Sequence, residues 1–173
     1  ERGDCIVVAG AAEMDTLNVP QVAEFTAGFD SSFGAVYYPA VKIKCPYTKT
    51  FPIIPAATLI PSVIAYTERV SQPHYAPAGI NRGTLNVLQA VSKLNRAERD
   101  SLYAAKINPI ASFASNGTVV WGQKTLQQKA SALDRLNVRI LINRIAKWIN
   151  AYGKTVLFDN NTASLRAIFT IGV

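Results

Sequence analysis

The chain has 173 residues, of which 49% are apolar and 17% are charged. A chain of this length and composition can bury a large core, which excludes a disordered segment and a small domain stapled by disulfides or metals. No apolar run approaches the ~20 residues that cross a bilayer, so we expect no membrane insertion. Cys5 and Cys45 define no disulfide framework; two buried free thiols are expected, and a bond between them stays open.

The net charge of +7 is unevenly distributed along the chain. Residues 1–40 contain six acids and one base, a net of −5, whereas residues 41–173 contain five acids and seventeen bases, a net of +12. Such an asymmetry favours binding to a nucleic acid, to an acidic protein surface or to a neighbouring copy of the chain. Charge alone does not decide among these partners.

The first half of the chain predicts strands and helices in alternation. Residues 4–9 form a short apolar run that predicts a buried strand, and Pro20 predicts the first turn of a short helix. Residues 35–45 are rich in β-branched and aromatic side chains and predict a strand that Pro39 interrupts. A helix is predicted over residues 59–70.

The middle of the chain predicts two short helices followed by a hairpin. The helices are predicted over residues 85–94 and 96–106, the second with Asn95 as its N-cap. Asn-Gly is a typical hairpin turn. The strands of the hairpin and its turn are predicted at residues 107–113, 118–122 and 116–117.

The clearest predicted element is an amphipathic helix over residues 133–152, ending at Gly153. A last helical segment is predicted over residues 162–168, and residues 155–158 and 169–173 predict short strands. At 100° per residue, seven apolar side chains of the long helix fall within about 120° and predict a core-facing stripe: Val138, Leu141, Ile142, Ile145, Trp148, Ile149 and Tyr152. The elements together predict an α/β fold, a mixed β-sheet flanked by helices, with one long amphipathic helix near the C-terminal end.

The residue types that build active sites and metal sites are scarce. His74 is the single histidine, so a Ser-His-Asp or Cys-His site would depend on it, and its Pro-rich surroundings favour a surface or packing role. Residues 122–125, Gly-Gln-Lys-Thr, resemble the end of a phosphate loop but lack the upstream glycine spacing. We therefore expect no enzyme activity, no metal and no cofactor.

A basic nucleic-acid-binding module is the alternative function that the composition leaves open. Arg135, Arg139 and Arg144 lie on the long predicted helix. Arg139 and Arg144 point about 140° apart on that helix, so the charges form no single stripe. No aromatic-basic RNA-binding motif is present, and nucleic acid is not the expected partner.

Five stretches of the chain, each weak alone, form a specific pattern in their order. They are residues 29–33 with 35–39 (FDSSF, AVYYP), 76–83 (APAGINRG), 107–110 (INPI), 119–126 (VVWGQKTL) and 134–139 (DRLNVR). The pattern resembles the assembly domain of contractile tail sheath proteins, the family of phage tails, phage-tail-like bacteriocins and type VI secretion sheaths. Ile140 departs from it, since the family has a second arginine there.

The resemblance implies a structural subunit of a contractile tail sheath, which polymerises around an inner tube and contracts to drive it through the host envelope. Residues 1–173 are then a single assembly core domain, a piece of a longer chain lacking its N-terminal arm and C-terminal strand. In this family, such arms complete a β-sheet shared with neighbouring subunits. The implied partners are other copies in helically stacked rings, the inner tail tube protein and the baseplate. The implied location is the phage tail of the virion, assembled in the bacterial host cytoplasm.

Basic side chains are the candidate contacts in such an assembly. Opposed acidic and basic surfaces suit contacts between rings and docking on an acidic inner tube. The residues expected at a subunit or tube interface are Lys124, Lys129, Arg135 and Arg139.

Overall fold

The computed structural model describes residues 3–10 and 19–172. The strands within these residues are β1 (Val7–Gly10), β2 (Gly34–Tyr38), β3 (Val41–Lys42), β4 (Ile53–Ile54), β5 (Gln89–Ala90), β6 (Ile107–Phe113) and β7 (Gly117–Val120). The α-helices are α1 (Val19–Thr26), α2 (Ile60–Val70), α3 (Arg96–Ala104), α4 (Leu136–Thr155) and α5 (Ala163–Gly172).

The main sheet is mixed and has the strand order β1-β2-β6-β7. β1, β2 and β6 are parallel, and β7 returns antiparallel to β6 through the predicted hairpin. A second, antiparallel sheet has the order β4-β3-β5. The predicted α/β fold with a mixed sheet flanked by helices is therefore confirmed.

Alternating side chains of β2 enter two separate cores. Ala35 and Tyr37 pack in one core, which α2 and the first residue of α4 cover. Val36 and Tyr38 pack in the other core, where they meet the helices α1 and α3. Both faces of the sheet are thus covered, which explains why β2 is apolar throughout rather than alternating with polar residues.

The turn over residues 76–83 covers the outer edge of β7. The amide of Gly79 donates to the carbonyl of Val120 (2.9 Å), and the amide of Val120 donates to the carbonyl of Gly83 (2.8 Å). A Cβ on Gly83 would lie 2.9 Å from the Cα of Ala78, so the turn closes tightly only with glycine there. In the described residues, β1 is the terminal strand at the opposite edge, and its Val7 is 63% exposed.

Most of the predicted elements are confirmed. The strand predicted over residues 35–45 divides at Pro39, which follows a cis peptide bond, into β2 and β3. Asn95 caps α3 in a capping box: its side chain accepts from the Glu98 amide (2.9 Å), and the Glu98 carboxylate accepts from the Asn95 amide (2.8 Å). α2 and the hairpin lie within a residue or two of their predicted bounds.

Four local predictions were wrong. The strand predicted as buried over residues 4–9 is β1 (Val7–Gly10), whose residues are exposed or half-buried because β1 is an edge strand. Residues 85–94 form no helix but contain β5, because their backbone pairs with β3. Residues 155–158 complete α4 and a following turn rather than a strand, so Gly153 does not end the helix. The strand predicted at residues 169–173 is the last part of α5 as far as Gly172.

The largest correction concerns the direction in which α4 faces. The side chains of α4 that are buried are Leu136, Arg139 and Asn143. Four of the seven residues in the predicted core-facing stripe are exposed instead: Ile142, Ile145 and Ile149 are 41%, 39% and 38% exposed, and Trp148 is 62% exposed. The other three are half-buried. The prediction failed because periodicity identifies the apolar side of a helix but not what covers that side.

Candidate assembly interface

A buried amide fixes the backbone that follows the hairpin. Asn108 on β6 is fully buried, and its side-chain amide donates to the carbonyls of Lys124 (2.8 Å) and Val36 (3.1 Å). Its side-chain oxygen accepts from the amide of Lys124 (2.6 Å). Gly122 must lack a side chain, since a Cβ there would lie 2.8 Å from the same oxygen. Asn108 therefore ties the INPI stretch to the VVWGQKTL stretch.

The fixed segment then pairs with the residues that open α4. The amide of Thr125 donates to the carbonyl of Asp134 (2.9 Å), and the amide of Leu136 donates to the carbonyl of Gln123 (2.8 Å). Lys124 and Arg135 form an antiparallel bridge between the two segments. Two of the four predicted basic residues are thereby placed side by side.

Lys124 and Arg135 meet at Tyr103, near the end of α3. The ammonium group of Lys124 lies 4.1 Å from the centre of the Tyr103 ring and donates to the Tyr103 carbonyl (2.8 Å). The guanidinium group of Arg135 donates to the Tyr103 hydroxyl (2.7 Å). The aromatic ring and the carbonyl oxygen stabilise the cations here, in part replacing water.

Positive charge is in excess at this position. Asp134 lies 3.2 Å from Arg135 and 4.0 Å from Lys106, so one carboxylate faces three cations when Lys124 is included. Desolvation lowers the pKa of Lys124, and repulsion from Lys106 and Arg135 lowers it further. We call Lys106, Lys124, Arg135, Asp134 and Tyr103 the Tyr103 cluster. Its surplus positive charge suits an acidic partner.

Arg139 lies apart from this cluster, one turn further along α4. It is 7% exposed, its guanidinium group lies 4.1 Å from the centre of the Phe33 ring, and it donates to the hydroxyl of Ser32. Burial lowers the pKa of Arg139. The contact joins the NVR stretch to the FDSSF stretch within one subunit, and an interface role for Arg139 stays a prediction.

Lys129 is the fourth predicted residue, and it lies in the exposed loop that precedes α4. The Gln127 side chain shapes this loop by donating to the Lys129 carbonyl (3.1 Å) and to the Ser131 hydroxyl (2.7 Å). The amide of Gln128 donates to Asp30 (2.8 Å), which anchors the loop to the FDSSF stretch. Lys129 is exposed at its surface.

Sequence reasoning missed Tyr103, Lys106 and Asp134 as members of the cluster. Tyr103 and Lys106 lie just before the INPI stretch, and Asp134 opens the DRLNVR stretch. Their position beside or within two of the matched stretches was the sequence signal that could have identified them. Their meeting with Lys124 depends on the Asn108 hydrogen bonds, which no sequence pattern predicts.

No candidate metal site or membrane span is found in the described part of the chain. Within residues 3–10 and 19–172, no three His, Cys, Asp or Glu side chains are grouped to hold a metal ion. No helix in these ranges is both long and apolar enough to cross a bilayer. Cys5 and Cys45 form no disulfide with each other, and they are exposed and half-buried, respectively, rather than buried as expected. Exposed His74 stacks on Tyr75 with 4.7 Å between ring centres.

Comparison with known proteins identifies the family. The family model for the phage tail sheath protein central domain matches residues 1–126, which is most of the chain. The chain belongs to the phage tail sheath protein family. The tail sheath protein of Vibrio phage KVP40 is 44% identical over 117 residues, which cover 67% of this chain and 17% of the relative. The tail sheath protein of Enterobacteria phage T4 is 39% identical over 117 residues, covering 67% of this chain and 18% of that protein.

Solved sheath structures share the fold. The contracted helical sheath of the anti-feeding prophage has a TM-score of 0.72 at 25% identity, and the match covers 84% of this chain and 39% of that one. The contracted PVC sheath of an extracellular contractile injection system has a TM-score of 0.77 at 24% identity, covering 94% and 44%. The present chain thus spans less than half of these sheath subunits and under a fifth of the two phage relatives.

Proposed function

We propose that this chain is the assembly core of a contractile tail sheath subunit, which polymerises around an inner tube and contracts to drive the tube through a host envelope. Membership of the tail sheath family is the observation that carries the proposal. The helical sheath fold shared with the anti-feeding prophage supports it. The role is structural and needs no catalysis. The alternative of a nucleic-acid-binding module gains no support from these relatives.

Residues 1–173 act in this proposal as one core domain of a longer chain, whose arms join neighbouring subunits. The edge of β1 supports this role, since among the described residues β1 pairs with β2 on one side only and Val7 is 63% exposed. An arm added at that edge would supply main-chain hydrogen bonds. Such bonds hold subunits together while side-chain contacts exchange during contraction.

The proposed partners are further copies of the subunit, the inner tail tube protein and the baseplate. A structure of the anti-feeding prophage baseplate also matches this fold, with a TM-score of 0.72. The proposed location is the tail of the virion, after assembly in the cytoplasm of the bacterial host. We propose that four basic residues contact the acidic partners: Lys124, Lys129, Arg135 and Arg139.

Electron microscopy of negatively stained particles tests the proposed function. This chain would be compared with a chain extended at both ends to the length of its phage relatives. Tubes or stacked rings from the long chain, and none from the short chain, are expected. If the long chain stays monomeric across a range of salt concentrations, the sheath function is contradicted.

Charge reversal at Lys129 is a sharper test of the interface than reversal at Arg139. Lys129 is exposed, whereas Arg139 is buried on Phe33 and its loss would also disturb the fold. Lys129→Glu in the long chain is expected to raise the concentration needed for tube formation. Lys93→Glu changes the same charge at another exposed position and serves as the control. Equal assembly of the two variants would remove Lys129 from the interface.

A further inference from the structure

The Tyr103 cluster gathers its positive charges at a place where the fold disfavours them. Arg135 is the residue directly before α4, and Lys124 forms the antiparallel bridge with it. The start of a helix carries a partial positive charge, so it repels cations and attracts anions. No side chain of the described residues caps the start of α4 by a hydrogen bond. An anion bound here would therefore be stabilised by the helix as well as by the cations of the cluster.

Lys106 has a backbone conformation that favours glycine. Its φ angle is 66°, in the left-handed region, shortly after the end of α3 at Ala104. Glycine is the usual residue in this conformation after a helix, because a Cβ atom strains it. The strained backbone places a lysine whose side chain is only 15% exposed at 4.0 Å from Asp134. Backbone strain of this kind is typical of residues that serve a function.

The charges of the cluster do not balance. Lys106, Lys124 and Arg135 contribute three positive charges, and Asp134 contributes one negative charge, which leaves a surplus of two. Within the described residues, Asp134 is the one carboxylate that forms an ion pair with these cations. The side chains of Lys106 and Asp134 are 15% and 17% exposed, so water solvates their charges poorly. An anion from outside this part of the chain would compensate the surplus.

The cluster also has hydrogen-bond donors that the described residues do not use. The Tyr103 hydroxyl accepts from Arg135, and its own hydrogen has no acceptor in this part of the chain. The ammonium group of Lys124 has three hydrogens, and its one hydrogen bond within the described ranges is to the Tyr103 carbonyl. Charged nitrogen donors form their strongest hydrogen bonds with oxyanions. The Asn108 side chain holds the Lys124 backbone in place for such a role.

These four observations together identify a ligand class. We infer that the Tyr103 cluster is a binding site for an oxyanion that carries two negative charges. A phosphate group offers this chemistry, and so do two neighbouring carboxylates of an acidic protein segment. The second source rests on the proposed function, in which Lys124 and Arg135 contact acidic partners. Lys106 and Tyr103 then belong to the same contact.

Titration of the 173-residue chain with inorganic phosphate tests the inference. Nuclear magnetic resonance would follow the backbone amides, and sodium chloride would keep the ionic strength constant. Saturable chemical-shift changes are expected at the amides of Tyr103, Lys106, Lys124 and Arg135. Addition of chloride alone should not produce them, because chloride has neither the charge nor the several oxygen acceptors of phosphate.

Lys106→Gly and Lys49→Gly form a matched pair of variants. Lys49 also has a left-handed φ angle, 55°, but it lies in the exposed turn between β3 and β4. Both substitutions remove one positive charge and relieve the same backbone strain, so neither should lower the stability of the chain in phosphate-free urea unfolding. Lys106→Gly is expected to weaken phosphate binding about tenfold, the effect of losing one hydrogen bond to a charged group. Lys49→Gly should leave the phosphate affinity unchanged.

Two results would overturn the inference. Equal phosphate affinities of the two variants would show that binding reflects the overall charge of the chain rather than the cluster. Chemical-shift changes that rise with phosphate concentration without saturation would show only nonspecific screening.

Competition separates the two sources of the oxyanion. A peptide with neighbouring Asp and Glu residues would be added to the phosphate-bound chain, and the corresponding Asn and Gln peptide would be the control. Displacement of phosphate by the acidic peptide alone would support the site and assign it to the carboxylates of a protein partner. Retention of saturably bound phosphate would support the site and assign it to free phosphate or a phosphorylated compound.

The phosphate titration is independent of tube formation, which separates the inference from the proposed function. Tubes from the long chain, without saturable phosphate binding to the 173-residue chain, would overturn the inference and leave the proposed function standing. Saturable binding at the Tyr103 cluster without any tubes would support the oxyanion site and count against the sheath function.

Discussion

The centre of the main sheet and the C-terminal half of α4 are both apolar in sequence, yet only the apolar side chains of α4 are exposed to solvent. On β6 and β7, the side chains of Ile107, Ile110, Val119 and Val120 are completely buried. On α4, Ile145 and Trp148 are 39% and 62% exposed. An apolar pattern therefore identifies the apolar side of an element, and it does not say whether the same subunit covers that side.

The two halves of α4 sharpen this comparison. The first half of α4 buries Arg139 and Asn143 against the body of the subunit, whereas residues 145–151 are all exposed. A helix that only stabilised a monomer would be expected to do the reverse. In the described residues, the apolar side chains in the second half of α4 therefore add little to the core of this subunit.

The largest expected effect comes from truncating the same residue type in the two regions. Ile110→Ala removes a fully buried side chain between the sheet and its helices and is expected to destabilise the chain by about 4 kcal/mol. Ile145→Ala removes a side chain that is 39% exposed and should cost less than about 1 kcal/mol. Urea unfolding followed by circular dichroism measures both. Similar losses would show that Ile145 is covered within the monomer.

The buried amide of Asn108 comes next in expected effect. Asn108→Ala leaves the amide and carbonyl of Lys124 and the carbonyl of Val36 without their side-chain partners, which is expected to cost about 3 kcal/mol. Hydrogen exchange should also accelerate at Lys124 and around Tyr103, because the Tyr103 cluster loses its support. Unchanged exchange there would show that the pairing between residues 123–125 and 134–136 holds the cluster by itself.

Much of the fold could be predicted from the sequence, because its elements rest on local chemistry. The capping box of Asn95 and Glu98, the Asn116-Gly117 turn and Pro39 act within a few residues of themselves. β5 could not be predicted in this way, since its two residues are a strand only through pairing with β3. Sequence patterns thus predict an element when neighbouring residues determine its structure. They fail when the structure depends on pairing with a residue that is distant in sequence.

The candidate site was predictable to a smaller extent for the same reason. Lys124 and Arg135 were identified as basic residues, but their common neighbour Tyr103 comes from another helix. Arg139 was expected at a surface because it is charged, yet its contact with Phe33 spans more than a hundred residues of sequence. Charge predicts that a residue needs a partner, and only the fold identifies the partner.

Two arginines on α4 provide a smaller and more local contrast. Arg139→Ala removes the contacts with Ser32 and Phe33 and leaves a gap, so a loss of about 2 kcal/mol is expected. Arg144 pairs with Glu68 at 2.9 Å, but both side chains are more than a third exposed, so Arg144→Ala should cost about 0.5 kcal/mol. Thermal or urea unfolding of the two variants measures which loss of stability is larger. A larger loss at Arg144 would reverse the assignment of the inner side of α4.

The smallest effect is expected at Tyr37, inside the region where burial is most complete. Burial raises the pKa of the Tyr37 hydroxyl, and that hydroxyl has no hydrogen-bond partner among the described residues. Tyr37→Phe removes a polar group whose desolvation is uncompensated while keeping the ring in the core between β2 and α2. Its stability should equal that of the wild type or exceed it by about 1 kcal/mol in urea unfolding. A clear loss of stability would mean that the hydroxyl has a hydrogen-bond partner, such as a buried water. Polar contacts would then stabilise this core together with packing.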